Sequence, residues 1–122
     1  MVLGVIAIVA IGGGVWAYRA SNAPTPLDAF AACLNQKGAT MYGTYWCPYC
    51  QKQKELFGRS FRRAKYVECA MPGNPRAAAP ACRDAGVTSY PTWIFADGSR
   101  TTGVQELADL ATKTGCTLPS TP

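Results

Sequence analysis

The chain contains no histidine. No imidazole is available to ligate a metal or to compete with cysteine for a catalytic role, so the histidine-containing zinc sites are excluded. Acids are scarce as well: seven Asp and Glu stand against twelve Lys and Arg, a formal net charge of +5 at pH 7. Much of the positive charge lies in Lys52, Lys54, Arg59, Arg62, Arg63 and Lys65, with Glu55 the sole acid between them. Such a stretch can attract anionic lipid or nucleic acid. No aromatics are interleaved with it as base stacking requires, so it reads as a solvated helix face followed by a basic loop, with no nucleic-acid partner. Internal repeats and low-complexity blocks are also missing.

Charge is absent from Met1 to Tyr18, a stretch rich in Val, Ile, Ala and Gly that ends in Trp16, Tyr18 and Arg19. That length is near the lower limit for crossing a bilayer, and aromatics before a cation suit an interface anchor. Residues 1–19 are therefore expected to be a transmembrane helix. A cleaved secretory signal is the rival reading, but there is no basic n-region and the apolar run is long for one. Residues 20–26, with two prolines, read as a short stiff tether. What remains is one small domain, 27–116, and a flexible tail, 117–122. The lone arginine after the span would put the domain in the cytoplasm. Six cysteines in so short a chain argue for an oxidising compartment and outweigh it. The domain is expected to be extracytoplasmic, in a periplasm or thylakoid lumen.

Within the domain, Asp28 is placed to cap a helix running to about Lys37, with Phe30, Cys33 and Leu34 on one face and Gly38 as its stop. Thr40–Tyr45 reads as a strand, Pro48 to Gly58 as a helix with proline in its first turn, and Lys65–Cys69 as a second strand. Met71–Pro80 is proline-rich and reads as a loop, followed by a short helix over 81–85. Thr92–Ala96 is a third strand. Asp97-Gly98 signals a hairpin turn returning along Ser99–Thr102. Val104 to Thr114 is an amphipathic helix that Gly115 ends. This order implies an α/β fold, with a parallel crossover around the central helix and an antiparallel hairpin closing the sheet.

The chemistry sits in Trp46-Cys47-Pro48-Tyr49-Cys50. Two cysteines two residues apart can close and reopen a disulfide. With Pro48 opening a helix, Cys47 falls at its N-cap, facing unpaired N–H groups and the positive end of the dipole, which favours the thiolate. Cys50 lies one turn in and less exposed. Cys47 is thus the expected nucleophile and Cys50 the resolving thiol. Half of a zinc site is the competing reading, but twelve residues separate Cys69 from Cys82, so no second knuckle exists and no metal is expected.

Trp46-Cys47-x-x-Cys50 after a strand, then Tyr90-Pro91-Thr92 before a hydrophobic strand, a hairpin and an amphipathic helix, resembles the thioredoxin fold over roughly Leu27 to Cys116. The resemblance implies a cis proline at Pro91 lying against the active pair. Trp46, Tyr49 and Tyr90 would frame an apolar groove for a partner chain. Tyr42 to Gly58, with Tyr66-Val67-Glu68-Cys69 and Tyr90 to Ile94, is similar to the thioredoxin-like domain fused to bacterial and plant vitamin K epoxide reductase homologues. That likeness implies a membrane-anchored thiol–disulfide oxidoreductase acting on protein thiols in oxidative folding, with a quinone-reducing membrane partner and no cofactor of its own. The four-helix quinone-binding unit is absent from this chain. So is the buried acid that thioredoxins carry six positions before the first cysteine, where this chain has Met41. Glu68 is the one substitute the sequence offers, and a solvated strand-end acid is the other reading of it. A reductive role in cytochrome assembly would use the same parts, and an anchored module holding a soft metal is a second alternative.

Cys33, Cys69, Cys82 and Cys116 allow three pairings. Cys69–Cys82 would clamp the proline-rich stretch and Cys33–Cys116 would tie the first helix to the last. Structural bridges are favoured over a second redox pair at Cys69 and Cys82.

Overall fold

A computed structural model describes residues 23–120. The expected transmembrane segment, 1–19, lies outside the described residues; among those, no helix is long and apolar enough to cross a membrane.

Helix α1 (Asp28–Gln36) leads into β1 (Thr40–Gly43), and β1 into α2 (Pro48–Phe57). A 3-10 turn, Gly58–Arg63, carries the chain to β2 (Lys65–Glu68). A small hairpin follows, β3 (Ala70–Met71) and β4 (Asn74–Ala78), then α3 (Pro80–Asp84), β5 (Thr92–Ile94), β6 (Arg100–Thr102) and α4 (Leu107–Thr114). The main sheet has the order β2-β1-β5-β6. β1 pairs parallel with β2 around the α2 crossover and antiparallel with β5, and β5–β6 is the hairpin turned by Asp97-Gly98. The result is a mixed sheet with helices on both faces.

Alternation along the strands sorts the core into two layers. Met41 is paired with both Tyr66 and Trp93 across the sheet. Met41 and Trp93 are buried, and Tyr66 packs beside them under α1, α2 and α4, against Phe30, Leu34, Phe57 and Leu110. Phe57 is the hub, with ring centroids 6.2 Å from Phe30, 5.6 Å from Phe61 and 6.1 Å from Trp93. Each such buried side chain contributes about 1.5–3 kcal/mol. On the opposite face Tyr42, Val67 and Ile94 pack against Cys69, Cys82 and Val87.

Several expectations are corrected. Asp28 does not cap α1 from its N-cap, which is Leu27. Its carboxylate reaches back to accept the Thr25 backbone N–H (3.1 Å) and hydroxyl (2.7 Å), closing the turn that leads into the helix. The helix expected from Val104 begins at Leu107. The proline-rich stretch is a two-stranded hairpin, because Pro75 occupies a strand that needs few ladder bonds. Gly38 does stop α1: it sits at φ +82°, and a Cβ there would lie 2.9 Å from Ala96 Cβ. In the expected flexible tail, Leu118 packs against the core. Leu27 and Leu118 border one apolar groove together with Leu56, Phe57 and Leu107.

Candidate active site

β1 ends directly beneath the cysteine pair. The chain leaves it through Thr44-Tyr45-Trp46 and reaches Cys47, which adopts extended geometry (φ −81°, ψ 121°) as the N-cap of α2 with Pro48 at the first helical position. No side chain caps this helix. Proline removes one of the open donors, and the remaining N–H groups and the positive end of the dipole face the Cys47 position. Gln51 steadies the approach by donating from Nε2 to the Tyr45 carbonyl (2.9 Å).

Cys47 and Cys50 are free thiols. Cys47 is 6% exposed and Cys50 not at all. Burial above all pushes the Cys50 thiol up to about 12; its hydrogen bond to Cys47 and the charge of that sulfur add to the effect, while the Thr44 backbone and the Lys54 ammonium oppose it. The inner sulfur therefore holds its proton.

Cys50 fits because residue 43 is glycine. A Cβ on Gly43 would lie 2.8 Å from Cys50 Sγ and 3.3 Å from Tyr66 Cε2. Glycine inside a strand is the one sequence signal of this close approach. Tyr66 closes the far side of the pocket, and Lys54 Nζ sits 4.0 Å from its ring centroid. Burial, helped by the charge of Glu68, holds the Tyr66 phenol above its ordinary value. Glu68 itself is exposed at the strand end and accepts the Ala70 N–H (3.2 Å), so it does not supply the missing buried acid. Met41 is fully buried where that acid would stand.

Gln53 is a further residue of the site that no local sequence signal marks. It is fully buried on the same stripe of α2 as Cys50 and Phe57. Its Oε1 accepts the Trp93 indole N–H (3.2 Å) and the Gln105 N–H (2.7 Å), and its Nε2 donates to the Gln105 carbonyl (3.0 Å). One satisfied amide thus locks the cysteine helix to β5 and to the loop before α4.

Opposite Cys47 the Tyr90–Pro91 peptide is cis. The Cys47 thiol donates to the Tyr90 carbonyl at 3.7 Å, and the Pro91 carbonyl accepts the Gly103 N–H (2.8 Å). A groove of about 410 Å³ beside them is lined by Tyr49, Lys52, Tyr90, Gly103, Val104 and Glu106. Trp46 meets Tyr90 edge-on, with centroids 6.4 Å apart. The structure thus brings Cys47, Cys50, Pro91, Trp46, Tyr49 and Tyr90 into one site.

The remaining cysteines are bridged as Cys33–Cys116 and Cys69–Cys82. Neither Cys69 nor Cys82 is then a free metal ligand. Among the described residues no three His, Cys, Asp or Glu gather as a metal site.

No protein-family profile matches the chain. It is 44% identical over 93 residues to thiol-disulfide oxidoreductase LTO1 of Arabidopsis thaliana, a match covering 74% of this chain and 24% of that protein. A match of that length on this chain necessarily includes Cys47 and Cys50. The mixed sheet flanked by helices is consistent with a thioredoxin-like α/β fold. The chain is also 40% identical over 55 residues to a glutaredoxin of Pseudomonas aeruginosa, covering 44% of this chain and 63% of the glutaredoxin. The chain thus spans about a quarter of the first relative and less than two thirds of the second. Both likenesses support thiol–disulfide oxidoreductase chemistry for this α/β domain.

Proposed function

We propose that the chain is a membrane-anchored thiol–disulfide oxidoreductase that oxidises protein dithiols through Cys47 and Cys50. The observation that carries this is the inequality of the two sulfurs. Cys47 stands at an uncapped helix N-terminus, 3.7 Å from the carbonyl preceding Pro91, and Cys50 is sealed behind it. In the oxidised form, a substrate thiolate attacks Cys47 Sγ. The Cys47–Cys50 bond breaks, a mixed disulfide forms, and Cys50 leaves as a thiolate that takes up a proton. The second substrate thiolate attacks its own sulfur in the mixed disulfide and expels Cys47. The substrate has lost two electrons and two protons, and the domain has become a dithiol. Run backwards, the same steps reduce a partner disulfide.

Reoxidation of the pair is assigned to a quinone-reducing membrane partner of the vitamin K epoxide reductase kind. The apolar stretch 1–18 supplies the anchor, and the domain lies outside the cytoplasm. Two bridges besides the redox pair, in a domain of this size, support an oxidising compartment.

A redox titration with mass-spectrometric mapping of every cysteine tests the exchange chemistry. The Cys47–Cys50 pair is expected to reduce well before Cys33–Cys116 and Cys69–Cys82, and Cys47→Ser to abolish transfer. A Cys47–Cys50 bridge as resistant as the others would exclude catalysis. Release of the full chain from membranes by alkaline carbonate would exclude the anchor.

A further inference from the structure

The β3–β4 hairpin, read from sequence as a loop, is fastened to the residue that precedes the nucleophile. Trp46 Nε1 donates to the Pro75 carbonyl at 2.7 Å, and the Arg76 guanidinium carbon lies 4.3 Å from the Trp46 ring centroid. The hairpin is in turn fixed to the fold. Cys69–Cys82 closes its base, the Ala79 N–H donates to the Cys69 carbonyl, and the Cys69 N–H donates to the Gly43 carbonyl, both at 2.7 Å. Arg76 is exposed, and among the described residues it meets no carboxylate within ion-pair distance. Lys52, on the groove side of the same site, is exposed too.

A guanidinium held over an indole keeps outer N–H donors free, and that contact removes part of the side-chain freedom that ion pairing would otherwise cost. Its fork matches a carboxylate. We propose that Arg76 determines substrate specificity: the domain favours partner segments that carry an acidic side chain beside the reacting cysteine, on the flank that faces the hairpin. The inference rests on the exchange activity proposed above and adds the class of segment on which it acts. On the other flank Lys52 and Glu106 line the groove with opposite charges, so that side adds no net preference for acids.

The test uses two peptides that each carry one disulfide and differ only by Asp or Asn next to the reacting cysteine. Exchange rates are measured with the full chain and with Arg76→Gln, Arg76→Lys and Arg76→Glu. The unaltered protein is expected to prefer the Asp peptide about fivefold, the upper range for an exposed charge pair. The preference should shrink as salt is added. It should fall to about one in Arg76→Gln, survive in part in Arg76→Lys and invert in Arg76→Glu. A merely structural Arg76 would change both rates together and leave their ratio fixed, so an unchanged ratio in Arg76→Gln overturns the proposal. Equal rates for the two peptides with the unaltered protein also overturn it, while leaving the exchange activity standing. Failure of both peptides to react overturns the exchange activity and this specificity with it.

Discussion

Cys50 Sγ occupies the space that a side chain on Gly43 would need: a Cβ there would sit 2.8 Å from the sulfur. Gly43 has no left-handed backbone angle, so its requirement is room rather than conformational freedom. Gly43→Ala must push the sulfur or the strand, at a cost of about 1–3 kcal/mol in stability. When the domain is run in the reducing direction, where Cys50 resolves the mixed disulfide, resolution should slow, so that trapped Cys47–partner adducts accumulate on non-reducing gels. Normal turnover in this variant would mean that Cys50 is not held where the structure puts it.

Gln53 satisfies three hydrogen bonds from inside the core. Gln53→Leu strands the Trp93 indole N–H and both backbone groups of Gln105. It should destabilise the fold by roughly 1–3 kcal/mol, read as a lower denaturant midpoint with an unchanged slope. A near-neutral result would show that those groups find other partners.

The raised Cys50 thiol makes the stability of the reduced form depend on pH. The folded dithiol keeps its proton while the unfolded chain releases it, so stability falls as pH rises from 9.0 towards about 12. The Cys47–Cys50 disulfide has no such proton. The stability gap between oxidised and reduced protein should therefore shift in favour of the oxidised form across that range, and reduced Cys50→Ala should lose this dependence. Parallel pH curves for the two redox forms would count against burial of the thiol.

The two structural bridges close loops of very different length, with sequence separations of 83 and 13 residues. On the chain-entropy account, removing Cys33–Cys116 costs about 4.5 kcal/mol and removing Cys69–Cys82 about 3. Paired Cys→Ala variants in chemical denaturation check the order. The smaller loss should be accompanied by a change in Trp46 fluorescence, because the bridge anchors the hairpin that contacts that indole.

The crossover and the closing hairpin were legible because each rests on local signals: Pro48 after a β-rich run, and Asp97-Gly98 between two strands. The active pair was legible for the same reason, since Cys47 and Cys50 lie within one helical turn. The β3–β4 hairpin was not. Its strands are short, one contains Pro75, and its order depends on Cys69 meeting Cys82. Gln53 hid because a polar residue on a helix reads as solvent-facing until its partners, 40 and 52 residues away, are brought to it. Arg76 was invisible for a similar reason, as nothing in the sequence announces that its strand folds back onto Trp46.

Leu27 and Leu118 share one wall of the fold, so the polypeptide enters and leaves the domain on a common side. A tether or an added module joined at either terminus would hang from that side, and swapping the attachment from one end to the other would not require rethreading the core. The stitch from Cys33 to Cys116 holds the first and last helices together when either is tugged. A load applied between the two ends of the domain is thus borne by a covalent link before it reaches the sheet that positions the reactive sulfurs.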